Sequence, residues 1–205
     1  MKGFIYIAGA FHTVTRSKCG RGGAWIDNDP HFWTSPPTWG ICRNDIRKRA
    51  DFGDYIFFVL PRHGRHPQMI FGYMKIAEQK ITHASAYHRA DLRSKRMGNK
   101  NPNGNIITDA TGNYNRFDFG VHKRQFPKIQ KEYAIGDPAN SRLLDDHAIR
   151  LLAPNFVSKL ASIFNVQTFP NQIPFNIITR GGQQLNANQV RQILTWLDSV
   201  PNRKD

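Results

Sequence analysis

An α+β fold is predicted for this chain of 205 residues. The runs before residue 82 are rich in β-branched and aromatic residues and read as strands, whereas those after residue 140 carry helical spacing. That order implies a small curved sheet or barrel with helices at one side. Apolar residues make up 40% of the chain and aromatics 12%, which excludes a disordered composition and supplies a core.

Each element has its own signal. GFIYIAGAF (3–11) reads as a first buried strand rather than as a signal peptide. Residues 12–40 form a Gly- and Pro-punctuated loop that carries Trp25, Phe32, Trp33 and Trp39. Arg43 to Ala50 predicts a short amphipathic helix with Ile46 and Ala50 turned inward and Arg43, Arg47, Lys48 and Arg49 on its other positions. Gly53 ends it as a left-handed cap. DYIFFVL (54–60) and MIFGYMKIAEQKI (69–81) predict a hairpin across the PRHGRHP turn, and KEYAIGD (131–137) a further strand. A short helix is predicted near Ala84–Asp91, and NPNGN (101–105) marks a turn. Helices are predicted over 153–164, with Pro154 early in the first turn, and over 186–198, with Asn186 or Asn188 as cap and Val190, Ile193, Leu194 and Leu197 as the apolar stripe.

Charge narrows the partners. Lys and Arg number 29 against 15 acids, a net of +14. Residues 1–131 hold 22 cations and 9 acids, whereas residues 132–205 hold 7 and 6, so the excess is one-sided. A field of this kind favours polyanions. The bland alternative is a basic, solvated surface. No apolar run of 18 residues is present, so no membrane span is expected, and no basic amphipathic helix with a broad apolar face points to a membrane surface. Two cysteines, Cys19 and Cys42, make no disulfide framework and fit a reduced cytoplasmic setting. His63 and His66 have an H-x-x-H spacing, but a metal would need further ligands such as Cys42 or His31, and an exposed basic hairpin tip is the favoured reading. Neither a metal nor a cofactor is expected.

The residues that could read a base are the loop aromatics Trp25, Phe32, Trp33 and Trp39, with Asp27, Asn28 and Asp29 as hydrogen-bonding groups for a base edge. For any one tryptophan, packing of the loop onto the core is the stronger reading; Trp39, nearest the helix, is the best single candidate. Phosphate contacts are expected from Arg43, Arg47, Lys48 and Arg49 on the helix, Arg62 and Arg65 in the hairpin turn, and Arg89, Arg93, Lys95 and Arg96 in a polar arm that also carries Lys100. Asp54 and Asp137 are the candidate general bases if the protein is an enzyme, and turn or cap roles are favoured for both.

The ordered set of motifs carries a resemblance. Cys42-Arg43-Asn44-Asp45-Ile46-Arg47-Lys48-Arg49-Ala50-Asp51-Phe52-Gly53-Asp54, then Gly72-Tyr73-Met74-Lys75-Ile76, then Gly136-Asp137-Pro138 with Ser141-Arg142, resembles the PUA-like superfamily of EVE, ASCH and YTH domains. Within it, the pattern is most similar to the second nucleotide-modification-associated domain family. The resemblance covers about residues 1–145; the final helices match no named pattern. It implies a PUA-like barrel over residues 1–145, with residues 146–205 as a helical extension packed on the same domain. It also implies a nucleobase pocket, often for a modified and extruded base, in a DNA modification, restriction or phage-conflict setting. The expected partner is therefore nucleic acid, DNA before RNA, and the expected role a non-catalytic reader. The alternative is an enzyme on nucleic acid or nucleotides: a nuclease, glycosylase or base-modifying factor.

Overall fold

The computed structural model describes residues 1–8, 29–60, 68–101, 103–169, 171, 173–174, 177–178 and 182–203. Strands and helices are mixed, as the α+β reading requires. The strands are β1 (Gly3–Ile7), β2 (Thr38–Trp39), β3 (Tyr55–Val59), β4 (Ile70–Ile81), β5 (Tyr133–Gly136), β6 (Arg142–Leu143) and β7 (Gln183–Leu185). Hydrogen bonding runs in the order β2-β5-β4-β3-β1-β7, with β6 also on β4, which is an open seven-stranded sheet rather than a closed barrel.

The chain divides into two compact units that are not sequential. One combines residues 1–10, 54–73 and 142–205; the other combines residues 11–53 and 74–141. The boundary expected near residue 145 therefore falls inside the first unit.

In that first unit, β1 lies parallel to β3 in the register Gly3↔Tyr55 through Ile7↔Val59, and β7 pairs antiparallel with β1. A parallel pair needs a long crossover, and the intervening chain provides it. β3 is buried along its whole length, which explains its unbroken apolar run. Tyr55, Phe57 and Val59 face one cluster, whereas Phe58 meets Tyr6 edge-on at 5.6 Å between ring centroids. The cluster is completed by α4 (Asp146–Leu152), α5 (Phe156–Phe164) and α6 (Ala187–Asp198), which contribute Leu152, Phe156, Leu160, Val190, Ile193 and Leu197. Asn186 caps α6 in a reciprocal capping box with Gln189. Residues 156–164 form the predicted helix, preceded by a 3₁₀ turn at Ala153–Asn155; α4 was not anticipated, although Asp145 caps it by accepting from Ala148 N at 2.7 Å. Arg142 closes the C-terminal end of α6. Its guanidinium donates to Leu197 O (3.0 Å), Val200 O (2.6 Å), Asp198 Oδ1 (3.2 Å) and Asn202 Oδ1 (2.9 Å). The "SR" motif is thus a structural clamp.

In the second unit, β5 pairs antiparallel with both β4 and the two-residue β2. The short α-helices of this unit are α1 (Asn44–Arg47), α2 (His83–His88) and α3 (Phe126–Ile129). Gly53 sits at φ 81°, the left-handed conformation expected of it, and its N–H donates to Ile76 O at 2.9 Å. Among the described residues, two clusters lie in this unit. One holds Ile41, Met97, Ile107, Phe126 and Ile129; the other holds Ala86, Leu92, Ile106, Tyr133 and Ile135.

Candidate functional site

The second unit concentrates both the buried polar groups and the loose cations. Its centre is Asp29, fully buried, whose carboxylate accepts from three successive backbone N–H groups: Gly40 at 2.6 Å, Ile41 at 2.9 Å and Cys42 at 2.5 Å. These donors precede α1, and the loop's own aspartate fills the anion nest they form. Burial pushes the Asp29 pKa up, while the positive charge of Arg47 and the three N–H donors pull the other way. A phosphate cannot use this nest without displacing Asp29.

Asn105 extends the network with all its polar capacity used. Its amide donates to Asp29 Oδ1 (3.2 Å) and Thr38 O (3.3 Å), and its oxygen accepts from Tyr133 Oη (2.7 Å) and Thr38 Oγ1 (3.1 Å). Gly40 must lack a side chain here, because a Cβ would lie 2.4 Å from the Tyr133 ring. His83 spans the same layer: its Nε2 lies 2.9 Å from Gly40 O, and Ile107 N donates to its Nδ1 at 3.2 Å. That pair of partners fixes the neutral Nε2–H tautomer, and burial lowers the His83 pKa to about 3.

Three expected contact residues lie inside this fabric, and their roles are corrected accordingly. Trp39 is fully buried, with the Arg47 guanidinium 5.4 Å from its ring centroid, so it offers no open stacking face to a base. Arg47 is turned inward: Nε donates to Glu132 O at 2.7 Å and Nη1 to Cys42 O. It satisfies two carbonyls instead of a phosphate. Lys95 is fully buried, with Nζ 3.0 Å from His31 Nδ1, 3.3 Å from His31 O and 2.6 Å from Thr34 O. These three acceptors match the three donors of an ammonium, so Lys95 staples the aromatic loop and does not extend into an arm. Desolvation lowers its pKa to about 7. Desolvation first, and the Lys95 charge second, lower that of His31 to about 3.

The remaining candidates are more accessible, to differing degrees. Lys48, Arg49 and Arg93 are exposed. Arg43 grips Asp45 with Nε at 2.9 Å and Nη2 at 2.7 Å, which holds the Asp45 carboxyl below its ordinary range. Arg89 is shared between Asp91 and Glu78, each reached at 2.6 Å. Arg96 lies over the Tyr87 ring at 4.6 Å and donates to Arg89 O. Phe32 is half-buried and Trp33 is 38% exposed. Trp25, Asp27, Asn28, Arg62 and Arg65 lie outside the described residues, as do Cys19, His63 and His66.

Both candidate bases make structural contacts. Asp54 is nearly buried, accepts from Lys2 N at 2.9 Å and pairs with Lys2 Nζ at 3.6 Å. Asp137 caps a 3₁₀ turn by accepting from Ala139 N at 2.9 Å and Asn140 Nδ2 at 2.6 Å. Among the described residues, no group of three His, Cys, Asp or Glu stands together as a metal site, and no helix is long and apolar enough to cross a membrane.

A set of cations was not singled out from the sequence: Arg116, Lys123, Arg124, Lys128 and Lys131. All are exposed, and none is ion-paired among the described residues. Their density within 16 residues, with Asp118 as the one acid, was the available signal.

The class reached is a mixed α+β protein with an open sheet and an excess of exposed cations over acids in its second unit. No family model matches the chain, and neither a curated protein nor a solved structure does.

Proposed function

We propose that this protein binds nucleic acid, DNA first, through the cations of its second unit. One observation carries the reading: among the described residues, most acids of that unit are engaged internally while many of its cations are not. Asp29 is held by backbone N–H groups, Asp45 by Arg43, Asp51 by Lys80, and Glu78 and Asp91 by Arg89. Asp118 is held by His122, and Asp109 by Thr111 and Asn113. Lys48, Arg93, Lys100, Arg116, Lys123, Arg124, Lys128 and Lys131 remain exposed and outside any ion pair among the described residues. Over the whole unit, 19 cations stand against 10 acids. Such a surface lowers its own free energy by gathering phosphates and releasing their counterions.

The finer reading, a PUA-like fold recognising a modified or extruded base, rests on the motif order from Cys42 to Asp54 and from Gly136 to Arg142. With Trp39 buried, Phe32 and Trp33 are the described loop aromatics that a base can reach. The experiment is fluorescence anisotropy with plain and modified-base oligonucleotides at two salt concentrations. Affinity should fall with salt at a log–log slope of about −0.9 per phosphate neutralised on duplex DNA. Trp33→Ala should weaken the modified-base oligonucleotide more than the plain one, and the oligonucleotides should be recovered chemically unchanged. Absence of binding, or binding that ignores salt, overturns the reading.

A further inference from the structure

We infer that the knuckle formed by residues 115–125 is a stacking wedge for unpaired nucleotides, with Phe119 as the ring that enters between bases. The inference rests on the nucleic-acid reading above and adds to it the substrate class, single-stranded segments, and a site outside the aromatic loop.

The knuckle is tied by internal hydrogen bonds. Its backbone proceeds through successive tight turns, with Asp118 N donating to Asn115 O (3.1 Å), Val121 N to Asp118 O (3.0 Å) and Gln125 N to His122 O (2.9 Å). Tyr114 and Phe126 close its base edge-on, with ring centroids 5.3 Å apart, and root it in the cluster of Ile41, Met97, Ile107 and Ile129. Inside, the Asp118 carboxylate accepts from Tyr114 Oη, from His122 N at 2.9 Å and from His122 Nδ1 at 3.0 Å. Phe117 packs inward against the same cluster.

Phe119 does the opposite. It is 83% exposed, and Val121 beside it is 62% exposed. Its φ is 49°, the left-handed region that aromatic residues disfavour. An apolar ring displayed to water from a strained backbone contributes nothing to the core, and strain of this kind collects at functional positions.

In the chain around this ring, over residues 116–131, the exposed charges are all positive. Arg116, Lys123, Arg124, Lys128 and Lys131 are exposed, whereas Asp118 is turned inside. A flat apolar ring flanked in the chain by exposed cations outside any ion pair complements a ligand that alternates flat rings with anionic groups. Single-stranded nucleic acid has that alternation, and its base faces are open. In duplex DNA those faces are already stacked. An anionic bilayer supplies charge but calls for a broader apolar face than Phe119 and Val121 provide.

The test uses the full chain and three probes: a 12-nucleotide deoxythymidine strand, a duplex of equal length, and vesicles of phosphatidylcholine and phosphatidylserine. Phe119→Ala should weaken single-strand binding about fivefold to hundredfold, the range for one lost base stack. Duplex binding should change less than about twofold, because phosphate contacts to the cations persist. A strand carrying 5-iodouracil should photocross-link to Phe119. If the wild type binds the strand but Phe119→Ala binds it equally well, or loses strand and duplex binding alike, the wedge is overturned and the wider reading stands. If the wild type binds neither strand nor duplex, both fail. Phe119-dependent sedimentation with the vesicles, without loss of strand binding in the variant, assigns the knuckle to a membrane surface and overturns the wedge.

Discussion

Lys95 Nζ lies 3.0 Å from His31 Nδ1, and both side chains are buried. Beside a charged Lys95 the imidazole stays neutral and its Nδ1 accepts. The pair joins the loop before β2 to the 3₁₀ turn at Arg93–Lys95, so its ionisation is coupled to folding of the second unit.

Lys95 therefore predicts an alkaline rise in stability. Burial lowers its pKa from 10.5 to about 7 in the folded chain. Between these values the unfolded chain holds more protons than the folded one, so stability increases with pH. Lys95→Met should lack this rise. At pH 9 it should be less stable by about 1–3 kcal/mol, because His31 O and Thr34 O lose a donor. The gap between wild type and variant should shrink as pH falls toward about 7, read from urea midpoints at several pH values.

The histidines predict the acid limb. His31 and His83 fall from 6.5 to about 3 on folding, chiefly through burial. The unfolded chain binds protons that the folded chain refuses, so stability is lost as pH falls from about 6.5 toward 3. Nitrogen-detected NMR at pH 5 should show His83 still neutral with its proton on Nε2. A charged His83 at that pH would contradict its bonds to Gly40 O and Ile107 N.

Trp39→Ala should behave as a core variant. Removal of this fully buried ring should cost about 3–5 kcal/mol, with loss of the Arg47 stacking surface. Trp33→Ala, at a 38% exposed ring, should leave the denaturation midpoint within about 0.5 kcal/mol of wild type. Chemical denaturation of both variants checks the contrast.

Asp29→Asn should destabilise by about 2–4 kcal/mol, because an amide nitrogen would face N–H donors that now meet a carboxylate. The loss should appear as earlier hydrogen exchange at the amides of Gly40, Ile41 and Cys42, which donate to it now.

Phe119→Asn should raise stability by about 1 kcal/mol, since asparagine tolerates the left-handed backbone that Phe119 occupies at φ 49°. The same variant should lose single-strand affinity. Gain in melting temperature paired with loss of binding separates a functional ring from a structural one.

Local chemistry made several elements legible. The apolar run 54–60, the strand 69–81 and the stripe of Val190, Ile193 and Leu197 announce themselves by composition and period, and the structure forms β3, β4 and α6 there. The left-handed backbone of Gly53, and Asp137 as a turn cap, were equally local, although the helix ends at Arg47 with Lys48 as its cap and not at Gly53. The strands β2, β6 and β7 have two or three residues each and too little length for a period. The composition of α4, DHAIRLL, mixes charge into its stripe.

By itself, then, the sequence determined the α+β class, the main strands and helices, and a cationic excess confined to residues 1–131. Only the tertiary structure decided which of those cations meet solvent. Arg47 and Lys95 have the same chemistry as Lys48 and Arg93, but their acceptors are backbone carbonyls far along the chain: Glu132 O lies 85 residues from Arg47, and Thr34 O lies 61 residues from Lys95. Folding brings those oxygens into reach, and a buried carbonyl binds a cation that the local pattern assigns to water.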